Sequence, residues 1–260
     1  MNKELNAIIT IASRDVTKLL RDKMRLIFSL LFPLIFIGIL GASLQANVGD
    51  SLGYNLLVFT FIGMVAQTLF QSTAGGIISI VSDRDSDFAQ EMFIAPISRY
   101  SIVFGKIIGE SAVSFIMLLG IFVLGLILQI PVDWSRLLLI TPAGIIAAIF
   151  GGAFGMLIMS RLSGPQAAQQ VFPFVLFPQF FLAGVFNPIT NLPPVLFVLS
   201  RIAPMTYAVD FMRGLYYAGR PEYTQIVLHS PLVNLGIMAA MFIAFLIAGT
   251  LLFVRNERNR

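Results

Sequence analysis

The chain is poor in charge. Asp, Glu, Lys and Arg make up 12% of its 260 residues, where a soluble domain carries roughly 25%. So few charges cannot cover the surface of a globule of this size. That excludes a soluble enzyme, a nucleic-acid-binding domain and a disordered protein. There is no cysteine, hence no disulfide framework and no thiolate metal site. The single histidine, His229, falls in a predicted loop, where a lone imidazole is expected to be solvated. No H-E-x-x-H and no Gly-x-Ser-x-Gly elbow occur. The G-x-x-x-x-G-K-[ST] phosphate loop is also missing, since Gly105-Lys106 is followed by Ile107 and lacks the upstream glycine. Any ATP-driven work therefore has to come from a separate chain.

What the sequence has in abundance is apolar runs. Hydrophobic residues make up 57% and the mean hydropathy is +0.88. A bilayer-crossing helix needs roughly 20 mostly apolar residues, and about six such runs are present: 26–44, 54–81, 107–130, 137–159, 171–186 and 232–254. They lack the period-2 alternation of a membrane barrel, so the fold expected is all-α and integral to the membrane. The lipid bilayer is its solvent and nucleic acid is not a partner. The stretch from Asn187 to Pro231 is broken by Pro204, Arg201, Asp210 and Arg213. Its length and composition fit a re-entrant segment over about 187–215.

Lys and Arg are unevenly placed between the runs. Of the 17, 13 fall on one side of the predicted layout, in the N-terminal segment, the second and fourth connections and the C-terminal tail. The positive-inside bias then places both termini in the cytoplasm of a multi-pass cell (inner or plasma) membrane protein. The N-terminal segment, about 1–25, is too long and charged for the n-region of a cleaved signal peptide. Within it Leu5, Ile8, Ile9, Ala12, Val16, Leu19 and Leu20 recur at helical spacing, with Arg14, Lys18, Arg21 and Asp22 on other faces. This is an amphipathic elbow helix at the membrane interface, either a plain anchor or a contact for a cytoplasmic partner. The transmembrane domain runs 26–254 and the cytoplasmic tail 255–260.

The connection Ser82–Lys106 carries a distinct pattern. Asp83, Asp85 and Asp87 precede Phe88, Met92 and Ala95, which share one helical face, and Pro96 ends the helix. Such a short helix suits either a groove on a soluble partner or the lipid surface. The order of Asp83, Arg84, Phe88, Glu91, Met92, Ala95, Pro96, Ser98, Arg99, Gly105 and Lys106 resembles the coupling-helix region of ABC type-2 membrane permeases, closest to the drug-exporter branch. A second match covers Pro188, Leu192, Pro193, Pro204, Thr206, Tyr207, Asp210 and Arg213. The chain departs from the family at Asp85-Ser86-Asp87, where Glu-Arg-Gly is frequent.

The resemblance implies a non-catalytic permease subunit of an ATP-binding-cassette exporter, working as a homodimer. A separate ATPase subunit would hold ATP and Mg, and this chain no cofactor. Asp85, Phe88, Glu91, Met92, Ala95, Pro96 and Arg99 would form the coupling contact. The cargo implied is an amphipathic drug-like molecule or lipid. Export of a lipid-linked polysaccharide and ion-coupled secondary transport are the alternatives.

Several polar and aromatic residues in the spans leave two readings open. Gln67 and Gln71 either line a substrate path or dimer seam or bond between helices. Phe177 and Phe181 either receive an apolar substrate or face lipid and neighbouring helices. Arg201, Asp210 and Arg213 are either a charge cluster under an outer gate or a solvated loop. Glu110, one turn after Lys106, is expected to pair with it, because an unpaired carboxylate in the membrane costs at least ~2.5 kcal/mol. The small residues Gly144, Ala148, Gly151, Gly152 and Gly155 predict close helix packing.

Overall fold

The computed structural model describes residues 3–49, 52–83, 98–162 and 165–258. Over these the chain is helical, with no strand assigned among the described residues. An N-terminal helix, α1 (Lys3–Arg21), precedes α2 (Lys23–Pro33). Helix α2 runs straight into a π-helical turn (Leu34–Gly41) and α3 (Ala42–Val48). The widened turn directly follows Pro33, whose missing N–H and bulky ring break the i→i−4 ladder.

Then come α4 (Leu56–Asp83) and α5 (Arg99–Ile127). After them α6 (Trp134–Ile140) continues through a 3₁₀ turn into α7 (Gly144–Met159). Helix α8 is Pro165–Leu182, and two short helices follow, α9 (Pro194–Ile202) and α10 (Pro204–Tyr216). A single turn, α11 (Tyr223–Ile226), leads to the last long helix, α12 (Pro231–Arg258).

Five stretches are long and apolar enough to cross a membrane: Leu26–Asn47, Leu56–Ile77, Ser101–Ile127, Trp134–Met159 and Tyr223–Leu252. The pair α9 and α10 makes a sixth if taken as one broken span, bent by 89°. That bend sits at Ala203-Pro204, where the proline starts a new helix and its predecessor is extended. The bend is compatible with either a broken span or the re-entrant segment expected over about 187–215. The run expected as a fifth span, 171–186, falls largely in α8 (Pro165–Leu182), which is not among the five stretches.

Helix α4 is the axis of the bundle. Of its crossing segment 78% is buried, against 17% for the first and last segments. The small residues of α7 make that possible: a Cβ on Gly151 would stand 2.1 Å from the Phe70 carbonyl oxygen, and one on Gly155 2.4 Å from that of Ala74. Backbone therefore meets backbone, as the small-residue spacing predicts. Phe70 fills the adjoining space against Phe150 and Phe154, with ring centroids 5.6 Å apart in both pairs. The peripheral first and last segments present Ile27, Leu31, Ile35 and Ile39, and Leu232, Ile243, Ile247 and Leu251, outward. These apolar faces suit a hydrocarbon solvent.

Candidate functional site

Between α2, α4, α5 and α8 lies a cleft of about 530 Å³. One wall is aromatic, with Phe28 and Phe32 from α2 and Phe177 and Phe180 from α8. The Phe32 and Phe180 rings meet edge to face at 5.0 Å. The opposite wall is a polar strip on α4: Gln67, Thr68, Gln71 and Ser72 line it, with Gly75 and Gly76 below. Leu30, Pro33, Met117, Ile121, Pro173 and Leu176 add to the apolar lining.

Residues four apart share a helix face, and here the Gln67 amide donates to the Gln71 side-chain oxygen. The Thr68 hydroxyl lies 3.4 Å from the Gln67 oxygen. The glutamines are thus bonded along their own helix, not across to another. Of the residues expected in the path, Gln67, Gln71 and Phe177 come together in this cleft. Phe181 does not line it. It is half exposed and reaches the group through Phe177, 5.8 Å away. The contributions of Phe28, Phe32 and Ser29 were not legible from sequence, since nothing in α2 marks which face meets α4.

Just behind Gly76 is a buried charge network. Lys106 Nζ lies 2.7 Å from Asp15 Oδ1 and 3.1 Å from Glu110 Oε1. Asp15, Lys106 and Glu110 are each under 5% exposed. The Lys106–Glu110 pair is the one expected. Asp15 was missed, although the signal was there: it follows Ile11 and precedes Leu19 at four-residue steps, an acid within the buried row of α1. Helix α1 therefore does more than rest on the interface. It lays this row on α5, where a Cβ on Gly109 would stand 2.8 Å from Ala12 Cα. Leu5, Ile9 and Leu20 form a separate exposed apolar row. Its Glu4 carboxylate also accepts the Ser98 backbone N–H, both oxygens at 3.1 Å. Of the expected coupling residues, Asp85, Phe88, Glu91, Met92, Ala95 and Pro96 lie outside the described residues, and Arg99 opens α5.

At the other end of α4, Arg213 is buried within α10. Its guanidinium donates to the carbonyls of Gly184 (2.7 Å), Val185 (2.9 Å) and Phe59 (3.1 Å). It also lies 3.5 Å from the Phe59 ring centroid, a cation–π contact. Gly63 leaves the room, since a Cβ there would be 2.6 Å from Arg213 Nη2. Asp210 accepts from the backbone N–H groups of Leu228 and His229 and from the Asn234 amide, all at 2.8 Å. Arg201 bonds His229 Nε2. Arg201, Asp210 and Arg213 are therefore close in the fold but not paired with one another, and the latter two are bonded core groups, not a solvated loop. His229 likewise departs from expectation: it is partly buried and ligated on both its ring and its N–H. Nearby, burial pushes the Tyr217 phenol above its ordinary range, with Arg213 pulling it back.

A helical bundle with five stretches able to cross a membrane and a mostly apolar cleft beside its central helix fits the class of membrane permeases. The chain belongs to the ABC-2 type transporter family, whose model matches residues 6–217. It is similar to ycf38 of Cyanophora paradoxa, named as a transport permease, with 25% identity over 255 residues, 96% of this chain and 88% of the relative. Nodulation protein J of Rhizobium meliloti is 28% identical over 210 residues, 79% and 74% of the two chains. The inner membrane transport permease YadH of Escherichia coli K12 is 23% identical over 177 residues, 67% and 68%. The chain is thus the membrane permease subunit of an ABC transporter, and the family implies pairing with an ATP-binding subunit.

Proposed function

We propose that the chain is the permease of an ATP-driven exporter that moves an amphipathic molecule, drug-like or lipid, through the cleft on α4. The observation that carries this is the cleft's two-sided lining, with four phenylalanines facing Gln67, Thr68, Gln71 and Ser72. A 530 Å³ space falls in the range of small-ligand sites, and its division into apolar and polar walls matches a molecule with a tail and a head.

Two copies of the chain form the transporter, each bound by a cytoplasmic ATPase, with both termini on that side of the cell membrane. The segment around Asp85, Phe88, Glu91, Met92, Ala95, Pro96 and Arg99 receives the push of the ATPase. Two features support that role. Its downstream root at Ser98 is held by Glu4 of α1. About two helical turns further on, Lys106 is ion-paired to Asp15 of the same helix. A force on the segment therefore reaches α1 and α5 together, and the second of these lines the cleft through Met117 and Ile121. Arg201, Asp210 and Arg213 hold the re-entrant helices that close the opposite end.

The test is reconstitution in vesicles with the partner ATPase and a fluorescent amphiphile. Transport requires ATP, and changing Phe88 and Met92 to Asp abolishes both ATPase copurification and transport. Transport that persists without ATP or any partner overturns the reading and favours an ion-coupled carrier.

A further inference from the structure

Gln179 belongs to the helix of the aromatic wall but faces away from the cleft. Phe177 and Phe180 line the cleft on either side of it in sequence. Gln179 itself is 5% exposed, and a buried amide needs partners. Its Nε2 donates to the Val175 carbonyl within α8 at 3.1 Å. Its Oε1 accepts the backbone N–H of Met205 at 3.2 Å. That second bond leaves α8 and reaches the start of α10.

The acceptor falls where α10 lacks one. The first N–H groups of a helix have no partner inside it. Pro204 opens α10 without an N–H, so Met205 carries the first. Ala203, at the N-cap, has no side-chain oxygen to offer, and Met205 is buried away from water. Gln179 is thus an N-cap supplied by another helix. The end it caps is tied in turn to α9. The Thr206 hydroxyl donates to the Ser200 carbonyl and the Tyr207 hydroxyl to the Arg201 carbonyl, both at 2.7 Å.

The far end of α10 is held otherwise. Arg213 bonds the Phe59 carbonyl of α4 and the Gly184 and Val185 carbonyls beyond the end of α8. Helix α10 therefore has one end fixed to the bundle axis and one end carried by the cleft wall. That wall can give, because Pro173 and Pro178 stand inside α8 and each removes a bond from the helical ladder. Gln179 directly follows the second proline. A body entering the cleft meets Phe177 and Phe180, on the same helical turn as Gln179.

We infer that Gln179 is a positioning residue through which occupancy of the cleft shifts the bent pair α9 and α10. The role rests on the cleft being the transport path, as read above.

The test uses the full permease bound to its ATPase, with Ser72→Cys as the permease's lone thiol. Pyrene maleimide attached at position 72 fills the cleft without any knowledge of the cargo. Hydrogen exchange is followed over residues 203–208 and 213–217, with and without the label. The label should speed exchange of the Met205 amide about fivefold, the worth of one typical hydrogen bond, and leave 213–217 unchanged. Gln179→Met keeps the length but offers only a weak acceptor. There the Met205 amide should already exchange fast, and the label should add nothing. Gln179→Glu keeps the acceptor and should restore the response to the label, which a merely structural role would not require. No effect of the label with native Gln179 overturns the role, and that result needs no substitution at position 179 to fold. An undiminished effect in Gln179→Met overturns it as well. Both results leave the transport path standing, which falls instead if the labelled protein still transports at full rate.

Discussion

The two ends of α4 both bury charge but neutralise it differently. At the end near Gly76, Lys106 meets the carboxylates of Asp15 and Glu110, side chain against side chain, across α1 and α5. At the end near Phe59, Arg213 and Asp210 face backbone: three carbonyls for the first, two N–H groups and one amide for the second. Phe59 and Gly76 are separated by about 25 Å at 1.5 Å per residue, so the two networks cannot screen each other directly. A network of side chains can be replaced as a set. A side chain bonded to main-chain carbonyls cannot, because its partners stay whatever the substitution. The first arrangement suits a joint between two helices, the second a fixed fastening of the bent pair α9 and α10.

The sharpest way to break this contrast is Arg213→Leu. It strands the carbonyls of Gly184, Val185 and Phe59, and each hydrogen bond to a charged group is worth about 1.5–3 kcal/mol. A loss of about 4–5 kcal/mol is expected, read as a collapse in detergent thermal stability that no second-site change of a neighbouring side chain restores. Next is Lys106→Met, which removes the cation shared by two buried carboxylates at a cost of about 3–5 kcal/mol. Here rescue is expected: adding Asp15→Leu and Glu110→Leu should recover most of the thermal stability, since apolar replacement of a whole buried ion network is often neutral. That triple variant should still lose coupling, measured as ATP hydrolysed per molecule transported.

Smaller effects sharpen the same picture. Asp210→Asn keeps the shape but exchanges an acceptor for a donor opposite N–H groups, and about 1–3 kcal/mol of thermal stability should go. Gly109→Ala should push α1 off α5, given the 2.8 Å clash with Ala12 Cα. It is expected to cost about 1–3 kcal/mol and to raise protease cleavage within α1. Glu4→Gln, at the rim, should change stability by less than about 1 kcal/mol while increasing hydrogen exchange at the Ser98 amide.

The contrast also separates what the sequence disclosed from what it hid. The apolar runs marked the crossing segments, because hydrocarbon admits few alternatives to a helix. The Lys106–Glu110 pair was legible because it is a local, one-turn contact. Asp15 was visible as an acid in an apolar row, but its partner lies 91 residues away. Arg213 gave no such sign. Its role depends on carbonyls 28, 29 and 154 residues distant, and a carbonyl leaves no trace in a residue code. In the cleft, Gln67 and Gln71 stood out as polar groups in an apolar helix. The aromatic wall they face comes from α2 and α8, whose facing sides only the tertiary packing selects. Phe181 illustrates the limit, belonging to the same aromatic group as Phe177 yet turned out of the cleft.

The absence of cysteine permits one direct trial of the cleft as the route of transport. Ser72→Cys places a lone thiol in the polar strip, and Leu139→Cys places one on an outward face that is 80% exposed. Each variant is reconstituted with its ATPase and treated with a bulky maleimide before transport is measured. Blocking position 72 should abolish ATP-dependent transport and blocking position 139 should leave it intact. Full transport with position 72 quantitatively labelled would contradict the assignment of the path to this cleft.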